Sequence, residues 1–227
     1  MTDLNVRVKE RFLEIKLAKG KMQQEEILNL SQENILESEK LFRTKLINSL
    51  AGIRQVALIG TKSKDGQENV AIFNSLIHLG AHPPLFGFIS RPHSVERDTL
   101  EKIKETGSYT LNYLNKKWMK EAHQTSARYT KEQSEFEAVG LTPEYLEQCF
   151  SPFVKEAEIK IEMKFQQVVD IEINNTKMVI GSIERIHIPK SRVAEDGLVQ
   201  PRDLLLSGGL DAYYTGEFIE QLPYAKP

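Results

Sequence analysis

A chain of 227 residues, with 30 Lys and Arg against 32 Asp and Glu and a formal net charge of −2 at pH 7, is long enough for one well-filled core but short for two full domains. Interspersed acids and bases exclude the basic face that tracks nucleic-acid phosphates, and no apolar run approaches the ~20 residues that cross a bilayer. The lone cysteine, Cys149, forms no internal disulfide, and no CxxC or His/Cys spacing points to a metal.

The N-terminus is charged and has no apolar stretch of signal-peptide type. Composition therefore predicts a cytoplasmic protein in a reducing compartment, without metal, nucleic acid or membrane. Residues 1–40 read as an N-terminal helical arm, with Phe12, Ile15 and Met22, or Leu13 and Leu17, at helical spacings and Gly20 as an interruption. Ser31 is suited to cap a second helix carrying Ile35, Leu41 or Phe42, and Lys45 or Leu46, ending near Gly52.

From Arg54 the periodicity changes. Val56–Ile59 and Val70–Phe73 are short β-rich runs about the Asp65–Gly66 turn, a hairpin. Leu85–Ile89 predicts a third strand and Asp98–Ile103 a helix capped by Asp98 and closed near Gly107. Tyr109–Tyr113 predicts a fourth strand and Lys116–Arg128 a helix. Between Glu132 and Phe150 a loop holds a short helix with Pro143 near its first turn, where a missing N–H is harmless; Cys149 falls in this helical stretch, in a mostly apolar setting that raises a thiol's pKa. Ile159–Phe165 alternates strictly, Val168–Ile173 leads to the Asn174–Asn175 turn, and Lys177–Ile188 continues the sheet. The expectation is a mainly β fold of six to eight mostly antiparallel strands with peripheral helices, closed or half-closed because closure removes exposed edges.

Chemistry concentrates between Asn69 and Asn112. Short polar side chains at the end of one strand, with an Arg and a Thr ahead of a helix one strand later, suit a small, flat, phosphate-bearing cofactor. No GxGxxG segment is present, which argues against a Rossmann enzyme.

The fragments Leu46–Leu50, Gly60–Ser63, Asn69–Ser75, Pro83–Pro84, Arg91–Pro92, Asp98–Thr99, Thr106–Gly107, Ala122–Ser126 and Pro223–Pro227, in this order and spacing, resemble the flavin-reductase-like, FMN-binding split-barrel family, close to its flavoredoxin branch. The resemblance covers residues 41–227. It implies a split β-barrel that dimerises around FMN, with NAD(P)H as electron donor and free flavin or another acceptor downstream. Asn74, Ser75 and the following backbone at Leu76 would then meet the flavin ring. Thr61, Ser63, Arg91 and Thr99 become phosphate candidates, Arg as a charge-assisted fork and Thr99 as a hydroxyl at a helix start. Lys62 and Arg97 are as well explained as solvated surface charges, and His93 as an approach to the phosphate or an exposed loop residue. The segment holding His123 and Ser126 is implied to lie near the flavin, with no obligatory catalytic acid, since hydride transfer to flavin depends on stacking, distance and electrostatics.

One departure concerns the donor. Many relatives carry Gly-Asp-His on a late strand beside the nicotinamide, whereas Gly181 here is followed by Ser182. Three functions remain open: an NAD(P)H-dependent flavin reductase, a non-enzymatic FMN electron carrier, and an adaptor whose arm recruits a partner. The aromatic C-terminal segment, Tyr213–Tyr214 and Leu222–Tyr224, is expected to pack across a homodimer, over the site, or on its own barrel.

Overall fold

The computed structural model describes residues 27–91, 98–130 and 133–225, and the chain divides into two units, Met1–Glu39 and Lys40–Pro227. The arm periodicity around Phe12, Leu13, Ile15, Leu17, Gly20 and Met22 lies outside the described residues. In the first unit helix α1 (Gln32–Glu37) starts where Ser31 accepts from the Asn34 N–H at 3.2 Å and the Asn34 side chain accepts from the Ser31 N–H at 3.1 Å. Each satisfies an amide that a helix start leaves unpaired. The single helix expected from Ser31 to Gly52 is two: Ser38 is extended (φ −62°, ψ 157°) and its hydroxyl donates to Ile35 O at 2.7 Å, a local bond that competes with helix continuation.

The second unit begins with α2 (Lys40–Leu50), stopped at Gly52, whose φ of +87° favours glycine. Seven antiparallel strands then form one sheet: β2 (Ala57–Lys62), β3 (Glu68–Phe73), β4 (Ile77–Ala81), β5 (Pro84–Ser90), β6 (Ser108–Tyr113), β9 (Ile159–Ile171) and β10 (Thr176–His187). Their spatial order is β3-β2-β6-β9-β10-β5-β4. The two edge strands, β3 and β4, are joined by Asn74–Leu76, so the sheet stays open between them and the architecture is a split barrel. Short pairs complete the set: β1 (Arg54–Gln55) with β11 (Leu206–Ser207) and β12 (Tyr213–Tyr214), and β7 (Pro143–Glu144) with β8 (Phe153–Val154).

Period-two alternation sorts the core into two clusters. Ala57 and Ile59 of β2 join Phe88, Leu111, Ile161, Met163 and Val179 together with Leu100 and Ile103 of helix α3 (Asp98–Thr106). Val56 and Leu58 point the other way, to Val70, Leu114, Ala122 of α4 (Met119–Gln124) and Phe136 of α5 (Glu135–Val139). A strand covered on both faces reads as a continuous apolar run, as Val56–Ile59 does. Strand β9 merges the two runs Ile159–Phe165 and Val168–Ile171, with register shifts against β10 between Ile180 and Gly181 and between Ile183 and Arg185.

Three expectations change. Pro143 sits in β7 opposite Val154 instead of a helix, because Gly140 in the left-handed region (φ +73°) has already ended α5. Cys149 lies in a turn, its N–H on Leu146 O at 3.2 Å. The expected Lys116–Arg128 helix is a 3-10 turn (Lys116–Trp118) followed by α4, and strand β4 is an addition to the sequence reading.

Buried polar groups on β6 hold the segment before β8. Asn112, fully buried, donates to Leu58 O at 3.1 Å and Thr110 Oγ1 at 2.9 Å and accepts from the Val154 N–H at 2.9 Å. Thr110 donates to Pro152 O at 2.7 Å. Gly60 makes room for them, since a Cβ there would lie 2.2 Å from Pro152 O and 2.6 Å from Thr110 Oγ1. Asn112→Ala is expected to cost roughly 1–3 kcal/mol for each buried backbone group left unpaired, read as a lower urea midpoint at unchanged denaturant slope.

Candidate functional site

The split between β3 and β4 opens a groove of about 1150 Å³ in the second unit. Its walls come from β3, β5, the start of α3, the loop after α4 and the loop around β11. Strand β3 turns Asn69, Ala71 and Phe73 to one face, and Phe73 packs edge-on to Phe88 with ring centroids 4.9 Å apart. Leu76, Ile89 and Leu100 extend the apolar surface.

The crossing from one edge to the other is held by two side chains. Ser75 accepts from the Ile89 N–H at 3.1 Å and donates to Ile89 O at 3.2 Å. Register makes this a substitution for the backbone ladder: Ile77 pairs with Gly87, so Ser75 stands where Ile89 would next be paired. Asn74 donates to Gly209 O at 2.6 Å and faces Ser207 Oγ at 3.4 Å, while its carbonyl accepts from Arg54 Nε at 2.8 Å. Both residues line the groove, with Ser75 Oγ and the Asn74 amide nitrogen also bonded to backbone, and the crossing adds Leu76.

Arg91, just past β5, and Thr99, in the first turn of α3, both line the groove, as do His123 and Ser126. With the Asn69 amide oriented to satisfy its neighbours, its nitrogen donates to the Glu135 carboxylate (3.0 and 2.9 Å), and its oxygen accepts from Thr99 Oγ1 at 3.3 Å and the Val70 N–H at 3.2 Å. His123 Nδ1 is 2.8 Å from Tyr213 Oη, and the rings meet edge-to-face at 5.7 Å. Burial, with Asp211 nearby, raises the Tyr213 pKa. Asp211 itself is held below the usual carboxylate range, chiefly by its hydrogen bond to Lys45 Nζ at 2.7 Å.

Thr61 and Ser63 are not brought into the groove. Ser63 closes the β2–β3 turn, bonding the Asp65 carboxylate and accepting from the Gln67 N–H at 2.9 Å. Thr61 is fully buried, and among the described residues its hydroxyl has no hydrogen-bond partner. Lys62 stacks on the surface over Tyr145 and Phe150, 4.3 and 4.4 Å from the ring centres. His93 and Arg97 lie outside the described residues. Gly181 and Ser182 lie mid-strand in β10 and do not line the groove; Gly181 is where Tyr109 packs, since a Cβ there would be 2.2 Å from Tyr109 Oη. Asn69 carried the period-two signal along β3 that places it beside Ala71 and Phe73. Arg54, Glu135, Asp211 and Tyr213 reach the groove from positions distant in sequence, with no local pattern to mark them.

Residues 52–208 match the flavin reductase like domain, and the chain belongs to that family. A structure from Shewanella frigidimarina, described as a flavin reductase with a split barrel domain, is 45% identical, covering 87% of this chain and all of that one, with a TM-score of 0.84. The flavoredoxin of Desulfovibrio vulgaris shares the fold at 22% identity, 76% and 92% coverage and a TM-score of 0.63. An uncharacterised protein of Aquifex aeolicus is 28% identical over 129 residues, 56% of this chain and 66% of its own length. This match spans just under two thirds of that relative.

Cys149 is buried, its thiol donating to Ser151 O at 3.3 Å, and burial first, then the nearby Glu162, pushes its pKa up to about 11. The native protein at about pH 8 is expected to leave an aromatic disulfide reagent unreacted until denaturant is added, because the thiolate is the reactive form. Rapid labelling of the folded protein would contradict this geometry.

Proposed function

We propose that this flavin-reductase-like chain binds FMN in the groove and passes electrons from NAD(P)H through it to free flavin or another acceptor. The observation that carries the reading is the union, at the split of the sheet, of an aromatic and aliphatic surface with a cation and a helix-start hydroxyl. Phe73, Leu76, Phe88 and Leu100 provide apolar area for a flat ring system, and Arg91 a planar fork for phosphate. Thr99, at the positive end of α3, adds a donor. Its hydrogen can swing from Asn69 Oδ1 to a phosphate at little cost, since that oxygen keeps the Val70 N–H. Glu135 opposes a phosphate dianion there, so the charge of Arg91 has to prevail.

Bound FMN supplies hydride acceptance and the release of electrons singly or in pairs. The chain's own work is binding and orientation: the peptide edge of Asn74–Leu76 would meet the polar rim of the ring, with Ser126 and His123 on the facing loop. The carrier reading is favoured by one observation, that the strand segment holding Gly181 and Ser182 does not line the groove. Anaerobic mixing of FMN-loaded protein with NADH or NADPH separates the two: rapid bleaching of the flavin band supports a reductase, and a flavin reduced by dithionite alone supports a carrier.

Arg91→Ala is expected to weaken FMN binding about ten- to a hundredfold, the cost of a charge-assisted bond of roughly 1.5–3 kcal/mol, and to leave riboflavin affinity nearly unchanged. Equal losses for both flavins would remove Arg91 from the phosphate site.

A homodimer belongs to the same reading. It is supported by exposed apolar side chains at Ile77 and Leu79 of edge strand β4 and at Leu198 and Val199. Light scattering should give about twice the 26.0 kDa chain mass, and a monomer mass with flavin still bound would overturn it.

A further inference from the structure

His123 and Tyr213 come from separate elements and meet at the groove. His123 is exposed at the end of α4, Tyr213 stands half-buried on β12, and the two residues, 90 apart in sequence, meet at 2.8 Å where both line the groove. A tyrosine hydroxyl at a cavity wall with a histidine on its oxygen is a proton donor with a supply behind it. When Nδ1 carries hydrogen it donates to the phenolic oxygen, so the hydroxyl hydrogen is free to point at a ligand.

We infer that Tyr213, backed by His123, binds and protonates the carbonyl oxygen of a quinone taken into the groove beside the flavin. This rests on the reading that the groove holds FMN. Burial and the neighbouring Asp211 keep the phenol protonated, as a donor requires. With FMN bound as the hydride donor, a quinone would go to the hydroquinone with that hydride and the one proton that Tyr213 supplies to its carbonyl oxygen, and a nicotinamide donor would restore the reduced cofactor. The tyrosinate recovers its proton from His123 across the existing contact, and the exposed imidazole is reprotonated by water. The apolar surface at Phe73, Leu76 and Phe88, with the Tyr213 hydroxyl in the same groove, suits a flat, uncharged quinone.

The test uses menadione and the FMN-loaded protein with its Tyr213→Phe and His123→Asn variants. Flavin content by absorbance should be retained in Tyr213→Phe, and His123→Asn, whose position lines the groove, is assayed at saturating FMN. In the oxidised protein Tyr213→Phe should bind menadione about two- to tenfold more weakly by flavin difference spectra, as for a lost neutral hydrogen bond. After photoreduction its reoxidation by menadione should slow by about a hundredfold or more, the range for a lost general acid. His123→Asn should bind menadione nearly as wild type and still slow the reoxidation, a split between affinity and rate that a structural role would not produce. Unchanged menadione affinity and rate in Tyr213→Phe would overturn the inference alone, and loss of FMN by that variant would reassign Tyr213 to the flavin. A wild-type protein that takes up no FMN would overturn the underlying reading as well.

Discussion

The second unit depends on how the chain crosses from β3 to β4 without closing the sheet. A backbone ladder continued through Ser75 and Ile89 would extend the β4–β5 pairing toward the split. Instead the Ser75 hydroxyl satisfies both the N–H and the C=O of Ile89, and Asn74 ties the other side of the crossing to Gly209. Side-chain bonds of this kind satisfy backbone groups where the ladder stops. The groove opens beside this crossing.

The rest of the fold keeps this opening from collapsing. Strand β2 is covered on both faces, by α3 with the barrel interior on one and by α4 and α5 on the other. The buried Asn112–Thr110 pair then fixes the segment before β8 against β6, at a place where Gly60 leaves no room for a side chain. Farther along, Arg192, almost wholly buried, pairs with Glu158 and Asp203 and anchors the loop that leads to β11. Strand β11 and the turn after it carry Ser207 and Gly209, the partners of Asn74.

The groove's polar groups are of two kinds. Asn69, Thr99 and Glu135 form a bonded set near the start of α3 with Arg91 at the end of β5, suited to a phosphate only if the guanidinium outweighs the carboxylate. His123 with Tyr213, and Lys45 with Asp211, form two further pairs around β12. Between them the lining is apolar, so a ligand that spans the groove would meet charge at its phosphate and a neutral donor at the reacting partner.

The sequence by itself determined most strands of the main sheet and the family. Val56–Ile59, Val70–Phe73 and Ile159–Phe165 carry their burial in their alternation, the Asp65–Gly66 turn fixes the first hairpin, and Ser31, Gly52 and Gly107 mark helix ends through local chemistry. The order of Asn69–Ser75, Arg91 and Thr99 was legible as a site for the same reason: each belongs to a strand end or helix start whose geometry is local. Tertiary structure decided which of those side chains face the groove. Ser63 is absorbed by its own turn, whereas Ser75 and Asn74 line the groove while bonding backbone groups 14 and 135 residues away. Pro143 found a strand partner across eleven residues, Pro143 to Val154. Tyr213 met His123 only because β12 pairs with β11, a register that no periodicity in either segment encodes. Hydrogen bonds between residues far apart in the chain depend on the packing that brings them together, and that packing is a property of the whole sheet.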